Sequence, residues 1–300
     1  MCKTLTIFTP AYNRAHTLSR TYKSLCRQTC KDFEWLVIDD GSTDGTKDLV
    51  AAWIAEKIID IRYIYQENQG MHGAHNTAYH NITTELNTCI DSDDYMPDDA
   101  VEKIISTWRK FGGEQYAGLM GYDIREDGTI IGTPFSDNLA ALSLTDYYAS
   151  GGKGDRKLVY RTEIINKYPD YPIFKGEKYV GLDYKYSLID LDYPMLTLNE
   201  PLVIVDYQPD GSSNSMYRQY WRNPQGWCFY RIHKMKIART FSKRFREAIH
   251  YVSSSLRAKK WNFLQENPFK FTTFVAIPFG VALFTYTYYK VIRNKQMKIS

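Results

Sequence analysis

Residues 35–46 read Trp35-Leu36-Val37-Ile38-Asp39-Asp40-Gly41-Ser42-Thr43-Asp44-Gly45-Thr46. An apolar run ends in two carboxylates and a glycine, and a helical pattern opens a few residues later. The run 33–38 reads as a buried strand. Asp39-Asp40-Gly41 reads as the turn that ends it. Residues 46–55 read as a helix, with Ser42 or Thr43 available as a cap. The same alternation repeats outward from this stretch. Leu5-Thr6-Ile7-Phe8-Thr9 is a short β-rich run stopped by Pro10, and 15–28 has helical spacing with Leu18, Tyr22 and Leu25 on one face. Downstream, 61–66 is a third strand, 73–80 starts a helix and 86–90 is a fourth strand. Strands alternating with helices predict an α/β fold, a mostly parallel sheet flanked by helices. Ligands of such sheets bind beyond the carboxyl ends of the strands. Thr9, Asp39 and Asp91 all fall at strand ends and are expected to share one crevice.

The fourth strand runs into Asp91-Ser92-Asp93-Asp94. Clustered carboxylates at a strand end suit a divalent cation held beside a polyphosphate. Hard cations take oxygen ligands, and magnesium is usually bound by one or two carboxylates plus substrate phosphates. An acidic cluster alone is a weak signal; its place after the 35–46 stretch makes it informative.

The rest of the chain is less sharply patterned. Residues 98–111 read as a helix, 117–131 as a hairpin turning at Glu126-Asp127-Gly128, and 151–154 as a flexible loop. Residues 157–168 show a strand-to-helix pattern, 179–191 a helix, and 195–207 strands around Pro201. After Pro209-Asp210-Gly211 the composition turns basic, and 218–260 reads as two amphipathic helices. Hydrophobic content of 44% and charged content of 24% over 300 residues are ordinary for a globular protein of one large or two modest domains. The 25 tyrosines suit a polar sugar-binding cleft, but equally ordinary cores and interfaces.

The net charge of +4 hides an asymmetry: residues 217–300 carry 17 Lys and Arg against Glu247 and Glu266 alone, and the remainder is net acidic. A basic end on an acidic body predicts a polyanionic partner surface, either nucleic acid or an anionic membrane leaflet. The five cysteines are odd in number and lack zinc-knuckle spacing. No signal-peptide core opens the sequence, so a cytosolic body with free thiols is expected.

Residues 271–289 are nineteen residues without a charge, interrupted by Pro278 and Gly280. A straight helix of that length spans roughly 28 Å, just short of a hydrocarbon core. Lysines and arginines lie on both flanks, whereas a spanning helix usually leaves its positive charge on one side. The segment is therefore expected to dip into one leaflet and return, or to lie in the interface. A buried C-terminal core helix is the plain alternative.

Thr9-Pro10-Ala11-Tyr12-Asn13-Arg14, then Ile38 to Thr46, then Asp91-Ser92-Asp93-Asp94 resemble, in order and spacing, the family-2 glycosyltransferases of GT-A fold. The likeness is strong over about the first hundred residues. Weaker signals at Gly154-Asp155-Arg156, Arg161-Thr162-Glu163, Gly176-Glu177-Lys178 and Phe279-Gly280 resemble the bacterial capsule, exopolysaccharide and lipopolysaccharide branch. The resemblance implies a nucleotide-sugar donor, probed by Thr9, Tyr12, Asn13, Arg14, Asp39 and Asp40, with Tyr12 stacked on the base and Asp39 on the base or its ribose. It also implies Mn2+ or Mg2+ held by Asp91, Asp93 and Asp94: Asp93 as the direct ligand, Asp91 nearer the ribose or sugar, and Asp94 assisting. Such a metal stabilises the leaving diphosphate as a Lewis acid.

Where the family often has Ala-Arg-Asn, this chain has Ala74-His75-Asn76. His75 and Asn76 are candidates to meet the nucleotide, and a helix-surface histidine is the alternative. Inverting transfer needs a general base. The family supplies it from a Glu-Asp pair, and the nearest match is Gly181-Leu182-Asp183-Tyr184. Asp183 is therefore the expected base and Glu177 its competitor; a solvated helix-start acid is the plain alternative for either. The Gln-x-x-Arg-Trp motif of processive synthases is absent, so one sugar per encounter is expected.

The implied layout is a catalytic domain at 1–216, with a nucleotide-sugar half to about 115 and an acceptor half at 116–216. A basic, helical, membrane-associating extension follows at 217–300. The implied partners are the donor, a lipid-linked or saccharide acceptor and an anionic membrane surface, without nucleic acid. The implied place is the cytoplasmic face of the cell membrane, peripheral or monotopic. The rivals are a nucleotidyltransferase-like enzyme, which usually carries a Gly-rich loop that Thr9-Pro10-Ala11-Tyr12 is not, and a non-catalytic membrane or nucleic-acid binding module.

Overall fold

The first strand, β1 (Leu5–Ala11), is buried at every position. Its sequence is a near-continuous apolar run because helices cover both faces. The computed structural model describes residues 3–136, 140–206 and 216–296. After β1 come α1 (Leu18–Cys26), β2 (Phe33–Asp39), α2 (Thr46–Glu56), β3 (Asp60–Tyr65), α3 (Met71–Asn81), β4 (Leu86–Cys89) and α4 (Ala100–Phe111). Then come β5 (Gly118–Ile124), β6 (Ala141–Leu142), α5 (Leu144–Ala149), β7 (Arg156–Arg161), α6 (Thr162–Lys167), α7 (Asp183–Ile189) and β8 (Met195–Ile204). The strands form one sheet in the order β3-β2-β1-β4-β7-β5-β8-β6.

The expected α/β fold is what forms. The first four strands are all parallel, β7 runs antiparallel to both β4 and β5, β5 and β8 are parallel and β6 is antiparallel to β8. Because β1 lies between β2 and β4, the chain reverses its direction of travel across the sheet there. That reversal opens a crevice beyond the carboxyl ends of β1 and β4.

The face that carries α1, α2 and α4 is packed with Leu5, Ile7, Leu18, Trp35, Trp53 and Ile104. Tyr22 stacks on Trp53 at 4.4 Å between ring centroids, and Trp53 lies 5.8 Å from Trp35. Removing the fully buried Trp35 ring would cost about 3–5 kcal/mol. On the opposite face Phe8 meets His75 and Tyr79 of α3 edge-on, at 5.0 and 5.5 Å.

Three local expectations change. The 117–131 hairpin is reduced to a turn, in which Arg125 N–H donates to the Thr129 carbonyl, and one bridge between Ile124 and Ile130. Both edges of β5 are already taken by β7 and β8. The strands around Pro201 are one strand, β8, with Pro201 opposite Tyr122 where the β5–β8 register shifts; proline cannot donate to the ladder, and an irregularity accommodates it. Helix α2 begins at Gly45 without a side-chain cap. Asp44, rather than Ser42 or Thr43, accepts the N–H of Thr46.

The chain forms two compact units: Met1–Asp170 with Lys185–Gln208, and Tyr171–Tyr184 with Pro209–Ser300. The second takes in a segment that the sequence reading grouped with the acceptor half, because Glu177, Lys178 and Asp183 hydrogen-bond to residues 223–234. Its remaining helices are α8 (Met216–Arg222), α9 (Pro224–Ile237), α10 (Phe241–Arg257), α11 (Phe263–Glu266) and α12 (Lys270–Gln296). Three helices thus stand where two were expected over 218–260. Pro224 occupies the first turn of α9, where its missing N–H is harmless, and so starts a new helix.

The expected break at Pro278-Phe279-Gly280 does not occur. Helix α12 is continuous through Pro278, which rules out a segment that dips and returns. Gly280 serves close packing instead: a Cβ there would lie 2.5 Å from Val252 of α10. Thr273, Ala276 and Gly280 form the buried seam of α12, while Phe271, Phe274, Phe279 and Tyr289 are exposed.

Candidate active site

The loops that leave β1 and β2 are tied to each other. Asn13 N–H donates to Ser42 Oγ at 2.9 Å, and Thr43 N–H donates to Asn13 Oδ1 at 2.8 Å. Asn13 adopts a left-handed backbone with φ of 53°, a conformation asparagine tolerates better than most residues. Ala15 N–H donates to Asp44 Oδ2 at 3.1 Å. Tyr12 is 51% exposed beside this clasp.

Asp39 ends β2 with both oxygens engaged. Oδ1 accepts from Ser42 N–H at 2.7 Å and Oδ2 from the Tyr63 hydroxyl at 2.6 Å. That carboxylate, and burial, push the Tyr63 phenol well above its ordinary range, with burial the larger cause. Asp40 accepts from the Gln66 side-chain amide and from the N–H groups of Gln69 and Gly70, at 2.7–2.8 Å. Its carboxylate therefore shapes the loop into α3, and the role expected for it as a substrate contact passes to positioning that loop.

Two other expected contacts are also moved by the structure. Thr9 is fully buried, and its hydroxyl accepts from the Trp35 indole N–H at 3.0 Å, so the side chain belongs to the α1/α2 layer. His75 is neither a phosphate-binding cation nor a surface residue. It is buried against Phe8, its Nδ1 lies 2.9 Å from the Met71 carbonyl, and burial pushes its pKa down to about 4. It is neutral at ordinary pH. Asn76 is buried on the same helix.

The carboxylates after β4 form the electrostatic centre of this edge. Asp91 is exposed, Asp93 partly buried and Asp94 buried. Burial, then the neighbouring Asp91, raise Asp93 above the usual carboxylate range and push Asp94 up to about 8. Asp94 Oδ1 accepts from Asp206 N–H at 3.1 Å, and the Asp94 carbonyl accepts from the Thr21 hydroxyl at 2.7 Å. Arg14 acts on Asp93 from the β1 loop. The structure thus brings Arg14, Asp91, Asp93 and Asp94 together across the switch point.

Two residues that sequence reasoning missed join them. Lys157 of β7 donates to the Cys89 carbonyl at 2.9 Å. Burial works to lower its pKa, but Asp123 and then Asp91 outweigh burial and hold it above the ordinary lysine range. Asp123 of β5 is buried, and burial pushes its carboxyl up to about 6 against the opposing pull of Lys157. Neither lies in a local motif, so no signal short of the strand pairing would have found them.

The donor set fits a hard divalent cation. Among the described residues no three His, Cys, Asp or Glu side chains close a metal cage by themselves. Like-charged oxygens with raised pKa values are what an open site completed by phosphate oxygens offers.

In the second unit, Glu177 accepts the N–H groups of Gln225 and Gly226 at 2.9 and 2.8 Å. It caps the start of α9, where backbone donors lack helical partners. Both of its oxygens are thus engaged by backbone donors of α9. Asp183 differs: its Oδ2 accepts from the Tyr230 hydroxyl at 2.8 Å and from Lys234 at 3.0 Å, and the side chain is 44% exposed.

A doubly-covered α/β sheet with a carboxylate-lined switch point defines a class of nucleotide-binding folds. The chain belongs to Glycosyl transferase family 2, whose model matches residues 6–155, and its fold is GT-A. An uncharacterised glycosyltransferase of Nostoc sp. is 32% identical over 171 residues, 54% of this chain and 52% of its own. Chondroitin synthase of Escherichia coli is 36% identical over 106 residues, 35% of this chain and 15% of its own. The chain thus spans about half the length, or less, of these curated relatives. Among solved structures, S. aureus TarS 1–349 in complex with UDP-GlcNAc superposes with a TM-score of 0.61 at 14% identity, covering 91% of this chain and 79% of TarS. The mannosyltransferase PcManGT of Pyrobaculum calidifontis, in complex with GDP-Man and Mn2+, gives 0.54 at 14% identity, covering 99% and 81%. At such identities the likeness is one of fold.

Proposed function

We propose that this chain is an inverting glycosyltransferase that moves one sugar from a nucleotide-sugar donor, UDP-linked, to a lipid-linked saccharide at the cytoplasmic membrane face. The observation that carries this reading is the crowding of Asp91, Asp93 and Asp94 at the switch point, where burial and mutual repulsion raise Asp93 and Asp94. Such a site is stabilised by a cation that a diphosphate helps to hold. Relatives named for glycosyl transfer support the reading, as do fold neighbours that carry UDP-GlcNAc or GDP-Man with Mn2+.

Asp93, with Asp91 and Asp94, would hold Mn2+ or Mg2+, which when bound supplies Lewis-acid stabilisation of the leaving diphosphate. Tyr12 offers an exposed ring for the base, and the Asn13–Ser42–Thr43 clasp with Asp39 shapes the nucleoside end. Asp183 takes the proton of the acceptor hydroxyl; its Oδ2 is oriented by Tyr230 and Lys234. Residues 1–216 act as the catalytic domain and 217–300 as its membrane-facing extension.

Helix α12 lies in the interface. The described residues include one helix long and apolar enough to cross a membrane, Lys270–Val291, and its exposed face carries Phe271, Phe274, Phe279 and Tyr289. Flanking lysines and arginines near anionic head groups are worth about 1 kcal/mol each. Truncation after Glu266 would strip α10 of its partner, so Phe271→Glu with Phe274→Glu is the cleaner test. That variant is expected to leave anionic vesicles and stay folded; retention on vesicles would remove the exposed face of α12 from the membrane contact.

The transfer reading is tested by nucleotide release from a panel of UDP- and GDP-linked sugars, with manganese, magnesium or excess chelator. Release of the nucleotide from one donor, dependent on metal, is expected. Full turnover in chelator sinks the metal role, and no binding of any donor sinks the reading.

A further inference from the structure

We propose that Asp123 recognises the sugar of the donor: its buried carboxylate accepts a hydrogen bond from a hydroxyl of the ring that the nucleotide diphosphate carries. The inference rests on the transferase reading above and assigns to it a residue outside the motifs of the first hundred positions.

Sheet register places Asp123. Gly121 of β5 pairs with Lys157 of β7, so Asp123, two residues on, projects from the same face as Lys157. On the other side of β7, Thr88 pairs with Val159, which brings the end of β4 and Asp91 to the same edge. Lys157 is close enough to act electrostatically on both Asp91 and Asp123. Asp123 therefore lies two strands from Asp91, on the same edge of the sheet.

Two further features separate it from a packing residue. The β5–β8 register shifts between Tyr122 and Asp123, and such irregularities next to active sites re-aim a side chain. Asp123 is 5% exposed, and among the described residues its Oδ1 has no hydrogen-bond partner. The nearby ammonium of Lys157 donates to the Cys89 carbonyl. A buried carboxylate oxygen left without a donor is costly, and a ligand hydroxyl removes that cost. Hydroxyls are the donors a sugar ring offers, and the free nucleoside diphosphate, which lacks that ring, is the control.

The test measures binding to Asp123→Asn and Asp123→Ser by calorimetry with Mn2+. The probes are UDP-GlcNAc, UDP-glucose and GDP-mannose, with UDP and GDP as sugar-free controls. The expected result is about 10- to 100-fold weaker binding of the nucleotide sugar that the wild type prefers, with unchanged binding of the free diphosphate. The melting temperature of Asp123→Asn should change little, since the amide keeps an oxygen beside Lys157. Equal loss for sugar nucleotide and free diphosphate would move Asp123 to the metal end, and a marked fall in melting temperature in both variants would make it structural; either overturns the inference, as does unaltered donor binding. A wild type that binds no probe sinks the transferase reading itself, and this inference with it.

Discussion

The carboxylates of the two units are partnered in opposite ways. In the sheet unit, Asp91, Asp93 and Asp94 crowd one another, and Asp93 and Asp94 hold their protons more tightly than free carboxyls do. In the helical unit, Glu177 rests on the backbone donors of α9, and Asp183 is matched by Tyr230 and Lys234. The first group is unfavourable by itself, each carboxylate raising the next. The second is satisfied within the chain, so its members can orient a helix or one another without a ligand. The difference separates carboxylates that repel one another from carboxylates that donors within the chain already satisfy.

The sharpest way to break this contrast is Asp93→Asn. Turnover should fall about a hundredfold or more, because a lost ligand removes stabilisation of the leaving group, while the melting temperature holds. Activity within a few-fold of wild type would remove Asp93 from the metal site.

Asp183→Asn comes next. Transfer should drop by about 10²-fold, the usual range for a general base, with donor binding intact by calorimetry. Glu177→Gln should instead cost stability, about 1–2 kcal/mol in urea unfolding, and leave the rate per folded molecule near wild type. The reverse pattern would move the base to Glu177.

Gly280→Val probes the architecture of the helical unit. The added side chain meets Val252 and the Ile249 carbonyl, and overpacking of this kind costs about 1–3 kcal/mol. An unchanged unfolding midpoint would mean that α12 does not close on α10 in solution.

The smallest effect is a pH slope. Asp94 titrates at about 8 in the ligand-free fold against 3.8 for the ordinary group. The folded state binds more protons across that window, so this group's contribution is fully present below about pH 4 and is lost as pH rises through about 8. Asp94→Asn should flatten that decline in melting temperature between pH 5 and 8. A decline of equal size in the variant would assign the slope to other groups.

How much was legible follows from range along the chain. Strands β1 to β4 and helices α1 to α4 were readable because each apolar run and its turn chemistry lie within a dozen residues. The direction of Thr9 was not: β1 is buried on both faces, so burial does not say which face a side chain takes. His75 was misplaced for the same reason, since α3 is covered by the sheet and exposes little of that turn. Pro278 and Gly280 read locally as a break. In the fold the glycine answers to Val252, twenty-eight positions away, and a continuous helix results.

The alternating α/β order, the acidic strand end and the basic, apolar C-terminal stretch are written in local periodicity, turn residues and charge. Which carboxylates crowd and which are capped depends on how distant strands and helices pack. The tertiary structure alone inserted the antiparallel β7 between β4 and β5, carrying Lys157 and Asp123 to the Asp91 edge. The physical reason is that local conformational preference acts over a few residues, whereas hydrogen-bond partners, burial and the pKa values they set come from strands and helices far apart in the chain.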